Sequence, residues 1–261
     1  MIRFTIETRR DNFSYELENT VKDELSKRGC IYDPQNPELV ICIGGDGTLL
    51  HAFHRYLDKI DSISFVGIHT GTLGFSTDYI LENIEEFFDD VTHKEPTYDD
   101  KRILEVTCFG KDGSKHSFFA LNEIRVENIV KTQNIEVSLN GEYFEFFRGN
   151  GLCVSGQHGS TAYNRSIGGA VIYCNLDLLQ VTEISGIHHR HARSLAAPLI
   201  LDPDTIIQFS SDSFEHALLC YDHLHIHLDN IEHLEIKHNI KKMRFAHYKS
   251  ISYIERLNAL F

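Results

Sequence analysis

Residues 44–48 read Gly44-Gly45-Asp46-Gly47-Thr48, directly after the apolar run Val40-Ile41-Cys42-Ile43. Three glycines in four positions let a backbone approach a ligand without Cβ obstruction. A helical pattern follows through Leu49, Leu50, Phe53 and Leu57, so the turn leaves a strand and opens a helix. Free N–H groups at such a junction suit phosphate. Asp46 adds a carboxylate that can accept a proton, bind a metal or, in the plainer reading, cap the helix. Four more segments carry chemistry-ready groups in apolar surroundings: Leu121-Asn122-Glu123, Arg148-Gly149-Asn150-Gly151, Ser155 to Ser166, and Tyr221-Asp222-His223.

The elements that must position these groups fall into two styles. Residues 2–7 suit a strand, and 12–28 a helix with Phe13, Leu17, Val21 and Leu25 at four-residue intervals and Gly29 as its stop. Strands are expected at 39–43 and 63–68. The second ends in His69-Thr70-Gly71-Thr72-Leu73-Gly74-Phe75, another glycine-bearing loop. Ile80, Ile84, Phe87, Phe88 and Val91 mark a helix over 80–91. This alternation implies a parallel sheet with ligands at the carboxyl ends of its strands, where both glycine loops fall. The polar stretch 95–100 is the expected boundary, giving an α/β domain over 1–98 and a β-rich domain over 99–248.

Beyond the boundary, short alternating runs predict an all-β domain of two packed sheets, with strands at 102–109, 116–121, 123–127, 152–154, 170–173, 205–209, 217–221, 224–228, 232–237 and 242–248. Asn140-Gly141 between two such runs predicts a tight hairpin. One helix is expected at about 160–167, ended by Gly168-Gly169, and a last one over 251–261 returning to the first domain.

With 261 residues and 42% apolar content, the chain can bury a sizeable core. No apolar run is long enough to cross a membrane. The first residues lack the apolar core of a signal peptide and suit a strand. Six cysteines, at 30, 42, 108, 153, 174 and 220, show no Cys-x-x-Cys spacing, which predicts free thiols and a cytoplasmic location. A net charge of −13 argues against nucleic acid or an anionic membrane as partner. Among 16 histidines, His188-His189-Arg190-His191 and the alternating His223, His225 and His227 stand out. The second group suits a metal face or, the reading preferred here, a half-exposed sheet face, since no familiar zinc spacing is complete.

The Gly-Gly-Asp-Gly-Thr turn, Asn122-Glu123 and the run Gly159-Ser160-Thr161-Ala162-Tyr163-Asn164-Arg165-Ser166-Ile167-Gly168-Gly169-Ala170 together resemble the NAD kinase family, in its compact Gram-positive bacterial form. The resemblance spans nearly the whole chain and implies transfer of a phosphoryl group from ATP or polyphosphate, with a divalent cation such as Mg²⁺, to the adenosine 2′-hydroxyl of NAD. It implies Asp46, Asp222 and His223 as catalytic groups. It implies ligand contacts at Gly45, Gly47, Thr48, Leu49, Phe75, Asn122, Glu123, Arg148, Asn150, His158, Thr161, Ala162, Tyr163 and Ser166, and no dedicated set of protein metal ligands. It further implies a homotetramer whose sites are shared between subunits.

Two positions depart from the family pattern. Asn150 stands where an Asp is usual, and Gly156-Gln157-His158-Gly159 replaces Thr-Pro-Thr/Ser-Gly. Loss of the proline predicts a more mobile loop and keeps open a dinucleotide-binding protein with weakened catalysis. A diacylglycerol-type lipid kinase shares the first motif and is the rival enzyme class. The Gly159–Ala170 run, the net charge and the lack of a basic amphipathic helix speak against it.

Overall fold

The computed structural model describes residues 1–71, 74–173, 176–188, 193–212, 214 and 216–260. The chain divides into two units, Met1–Lys101 with Lys241–Phe261, and Arg102–Ile240. The first contains β1 (Arg3–Thr8), α1 (Asn12–Lys27), β2 (Ile31–Tyr32), β3 (Leu39–Ile43), α2 (Asp46–Arg55), β4 (Ser64–His69), β5 (Tyr79–Ile80) and α3 (Ile84–His93). The chain leaves it along β6 (Thr97–Gly110). Then come β7 (Lys115–Ala120), β8 (Glu123–Glu127), β9 (Gln133–Leu139), β10 (Glu142–Gly149), β11 (Gly151–Ser155), α4 (Tyr163–Ser166), β12 (Leu179–Ile184), β13 (Leu199–Leu201), β14 (Ile207–Ser210), β15 (Leu218–Tyr221) and β16 (Leu224–His227). It returns along β17 (Ile231–His247) and ends in α5 (Tyr253–Asn258).

In the first unit every strand pairing between β2, β1, β3, β4, β5 and the last part of β17 is parallel. β3 is buried at all its positions, as a parallel strand covered on both faces must be. α1 starts at Asp11, whose Oδ1 accepts from Ser14 N at 2.8 Å, and stops before Gly29 at φ +91°. Its buried face is shorter than the expected stripe: Val21 and Leu25 lie in the core, while Phe13 is exposed. α2 ends at Arg55, so Leu57 belongs to the 3-10 turn over 57–62 instead.

The second unit is built from antiparallel strands. One sheet has the order β13-β12-β11-β8-β15-β16, and β10-β9-β14-β17 forms part of the other. Both contribute to one core, with Ile124, Val126, Leu152 and Leu219 from the first and Ile135, Val137, Phe209 and Ile236 from the second. The β9–β10 hairpin turns at Asn140 (φ +52°) and Gly141 (φ +83°), as two left-handed residues require. Two expectations are corrected. Residues 170–173 form no strand, and the runs 232–237 and 242–248 belong to a single strand, β17. β6 already begins within the polar stretch 95–100. β12 and β13 were not anticipated.

Candidate functional site

Chemistry-ready groups gather in each unit separately. In the first, β3 delivers the chain into the glycine turn. A Cβ on Gly44 would stand 2.1 Å from Thr48 Oγ1, so the turn closes only on glycine there. Gly45 is the N-cap of α2 and provides no side-chain cap. The first amides of such a helix have no acceptor within it. Gly47 is exposed, and a Cβ there would meet nothing within 4 Å. Packing therefore does not explain this glycine. Thr48 is buried beneath the turn, and Leu49 is in the core at 1% exposure, so neither presents an open side chain.

Asp46 does not act as the helix cap. It is half-buried in the first turn of α2, and its Oδ1 accepts from Ser76 N at 3.0 Å. The carboxylate thus ties the first glycine loop to the second. His69, at the end of β4, lies between them. Its Nδ1 accepts from Gly71 N at 2.9 Å, which leaves the proton of the neutral ring on Nε2. That nitrogen lies 3.3 Å from where a Gly45 Cβ would be. Phe75 is buried and meets Tyr253 edge-on at 5.6 Å. Thr72 and Leu73 lie outside the described residues.

In the second unit the β15–β16 turn carries Asp222 and His223. Asp222 is left-handed, at φ +53°, and buried. Its carboxylate accepts from Leu121 N at 2.9 Å and Asn122 N at 2.8 Å, so it fixes the entry into β8. His223 is exposed on the same turn. Glu123 follows at the start of β8 and is 5% exposed, with Oε2 lacking any partner. Burial first, and then the charge of Asp222, push its carboxyl up to about 7, against the opposing pull of Arg125 and the Tyr163 N–H. The Arg125 guanidinium sits 4.1 Å over the Tyr163 ring.

The Gly159–Ala170 run is positioned by the same entry. A Cβ on Gly159 would lie 1.8 Å from the Asn122 carbonyl oxygen, so only glycine lets the 158–161 turn close on Asn122. Ser160 Oγ donates to Gln157 O at 2.7 Å and accepts from Ile172 N at 3.0 Å. Buried Asn164 accepts from Thr182 Oγ1 at 2.7 Å. These two residues hold the loop, while Ala162, Tyr163 and Ser166 remain partly or fully exposed along α4. Thr161 and His158 are buried, with Thr161 Oγ1 donating to His158 O at 3.3 Å. Arg148 is exposed on β10, and its carbonyl accepts from Ile187 N at 2.7 Å. Asn150 is half-buried, and its Nδ2 donates to Asn128 O at 2.9 Å.

Several positions escaped sequence reasoning. Arg125, Gln180 and Arg256 lie outside every motif and are identified by their contacts alone, and His69, inside the second glycine loop, is singled out only by its contacts. His225 and His227 are exposed on β16, the sheet-face reading preferred above. His189, Arg190 and His191 lie outside the described residues. Among the described residues no group of three or more His, Cys, Asp or Glu is arranged to hold a metal, and no helix is long and apolar enough to cross a membrane.

Both motif clusters fall within matched family domains. The ATP-NAD kinase N-terminal domain matches residues 5–96 and the ATP-NAD kinase C-terminal domain residues 121–247. The chain belongs to the NAD kinase family and is a kinase, which sets the lipid-kinase reading aside. Two curated relatives are from Gram-positive bacteria. NAD kinase of Lactobacillus gasseri is 38% identical over 91% of this chain and 89% of its own length. NAD kinase 1 of Bacillus cereus is 35% identical over 100% of this chain and 98% of its own length. The fold is also that of yeast NADH kinase complexed with NADH, with TM-score 0.81 and 17% identity over 100% of this chain and 86% of that one. It matches an NAD kinase from Archaeoglobus fulgidus in complex with ATP, with TM-score 0.77 and 22% identity over 99% and 98%.

Proposed function

We propose that this enzyme transfers the terminal phosphoryl group of ATP to the adenosine 2′-hydroxyl of NAD, with Asp46 accepting the hydroxyl proton. The observation that carries the reading is the Asp46 carboxylate, held by Ser76 N at the opening of α2 beside a glycine that packing does not require. Phosphoryl transfer depends chiefly on position and charge stabilisation. Helix-start amides suit phosphate, and a fixed carboxylate suits the attacking hydroxyl. In the second unit, Asn122 offers a donor and an acceptor to a base edge. Glu123, with an unpartnered oxygen and a carboxyl that titrates near neutrality, suits a ribose or adenine polar group. Asp222 positions Asn122 through its backbone.

A divalent cation fits as cargo of the nucleotide. Asp46 is the residue that would hold it, and such ions keep several waters and substrate phosphates as ligands. The cation neutralises phosphate charge when bound. Polyphosphate is the alternative donor. We place the enzyme in the cytoplasm, in keeping with its described cysteines, which are all free; Cys174 lies outside the described residues. The assembly is a homotetramer with shared sites, so activity is lost on dilution to monomers, which sedimentation beside kinetics checks.

The deciding experiment incubates the protein with NAD, ATP and Mg²⁺ and measures NADP, beside Asp46→Asn. NADP should form, and the variant should keep its fold and lose on the order of 10²-fold or more in kcat. A variant with more than about a third of the parental rate removes Asp46 from the chemistry, since a base contributes at least that order.

A further inference from the structure

The C-terminal helix reaches the second glycine loop, and nothing in the phosphoryl-transfer scheme yet uses it. α5 has six residues and begins with a capping box, in which Ser252 Oγ accepts from Glu255 N at 3.1 Å and Glu255 accepts from Ser252 N at 2.7 Å. A helix this short does not persist unaided. The next residue, Arg256, anchors it. Its Nη1 donates to the carbonyls of Phe75 at 2.9 Å and Thr77 at 3.1 Å, and its Nη2 donates to the Asp78 carboxylate. Asp78 is buried, and its other oxygen accepts from His247 Nδ1 at 2.7 Å. Tyr253 packs against Phe75 from the same helix.

The Phe75 carbonyl and the Ser76 N–H belong to one peptide group. That group is planar and turns as a unit. Arg256 holds its oxygen, and Asp46 Oδ1 accepts from its hydrogen at 3.0 Å. A guanidinium on the oxygen also polarises the N–H toward the carboxylate, since linked hydrogen bonds strengthen one another. Three acceptors on one planar fork fix the loop in orientation as well as in place.

We propose that Arg256 is a positioning residue for phosphoryl transfer, acting through the Phe75–Ser76 peptide to fix the Asp46 carboxylate. The proposal rests on the reading of Asp46 as proton acceptor. Small misplacements of a reacting group cost up to about 10²-fold in rate. Arg256→Ala should therefore lower kcat by about 10- to 100-fold, with KM for NAD and ATP within about threefold, because a group acting mainly in the transition state changes turnover rather than ground-state binding.

The test is a double-mutant cycle of Arg256→Ala with Asp46→Asn, with melting curves to compare folding. A residue that acts through Asp46 costs nothing further once the carboxylate is gone, so the double variant should match Asp46→Asn alone. Millimolar guanidinium ion should restore part of the Arg256→Ala rate and none of the Asp46→Asn rate. Additive losses, or a kcat for Arg256→Ala within about twofold of the parent, overturn the proposal, since linked groups are non-additive. If Arg256→Ala does not fold, Arg256→Lys takes its place, because a lysine point charge cannot span two carbonyls and a carboxylate in one plane. Parental kcat in that variant overturns the proposal too. An active Asp46→Asn defeats the Asp46 reading itself. An inactive Asp46→Asn beside an unimpaired Arg256 variant defeats only the role of Arg256.

Discussion

Glu123 should make stability depend on pH in a direction opposite to that of an ordinary paired carboxylate. Its carboxyl is raised from the usual 4.5 to about 7, chiefly by burial and then by Asp222. The folded state therefore binds more protons than the unfolded state between those values. Stability from this group is complete below pH 4.5, falls as pH rises through about 7, and levels off above it. At about 1.4 kcal/mol per pH unit, the loss is on the order of 3 kcal/mol. Glu123→Gln removes the titration. It also leaves an amide where Oε2 had no partner, a cost of about 1–3 kcal/mol that pH does not change. The variant should thus be less stable than the parent near pH 4.5 and equal to it or more stable at pH 8. Urea midpoints at four pH values across this window, at constant slope m, measure it. A variant that keeps the parental fall with pH refutes the assignment to Glu123. So does a parent that gains stability over the window.

Two substitutions toward the family pattern should fail to help. Asn150→Asp replaces an amide that donates to Asn128 O at 2.9 Å with a carboxylate facing the same carbonyl oxygen. It should cost about 1–3 kcal/mol by denaturant titration, with no fall in KM for NAD. Gly156→Thr sets a Cβ 3.2 Å from His238 Nε2, while that buried ring is held by Nδ1 at 3.0 Å from Pro203 O. Overpacking of this kind costs about 1–3 kcal/mol, and a lower melting temperature that His238→Ala partly restores is the expected result.

The first unit was the more legible in sequence. Its apolar runs, glycine turns and amphipathic helices repeat in order, and β3 with Gly44–Thr48 reads directly because both burial and turn geometry constrain it. The second unit hid β12, since Gln180 and Thr182 interrupt its apolar residues. Both are buried, with Gln180 bonded to both backbone groups of Ala170 and Thr182 to Asn164. Side-chain bonds also occupy the backbone of Ala170-Val171-Ile172-Tyr173, which forms no strand: Gln180 takes both groups of Ala170 and Ser160 Oγ the Ile172 N–H. β17 reads as two strands because Lys237 to Lys242 is largely polar. Within the candidate site, Asp46, Glu123 and Asp222 were legible as residues but not in their contacts. Asp222 serves amides 100 and 101 positions away, and Arg256 serves carbonyls 179 and 181 positions away. No local pattern encodes such pairings.

The altered loop shows how a family pattern misleads when read one residue at a time. Losing proline at 157 and a larger residue at 156 predicts mobility. Here Ser160 N and Oγ both donate to Gln157 O, Thr161 Oγ1 donates to His158 O, and Ala162 N donates to Gly159 O. Gln157, His158, Ser160 and Thr161 are buried. These bonds restrain the turn from its carbonyl side, and His238 occupies the space beside Gly156. Asn150 is matched in the same way by the Asn128 carbonyl. The departures at 150 and 156 thus each have a local neighbour that the family residue would disturb. The loss of a family residue is evidence for weakened catalysis only where the chain leaves that residue's place unfilled, and at positions 150 and 156 it does not.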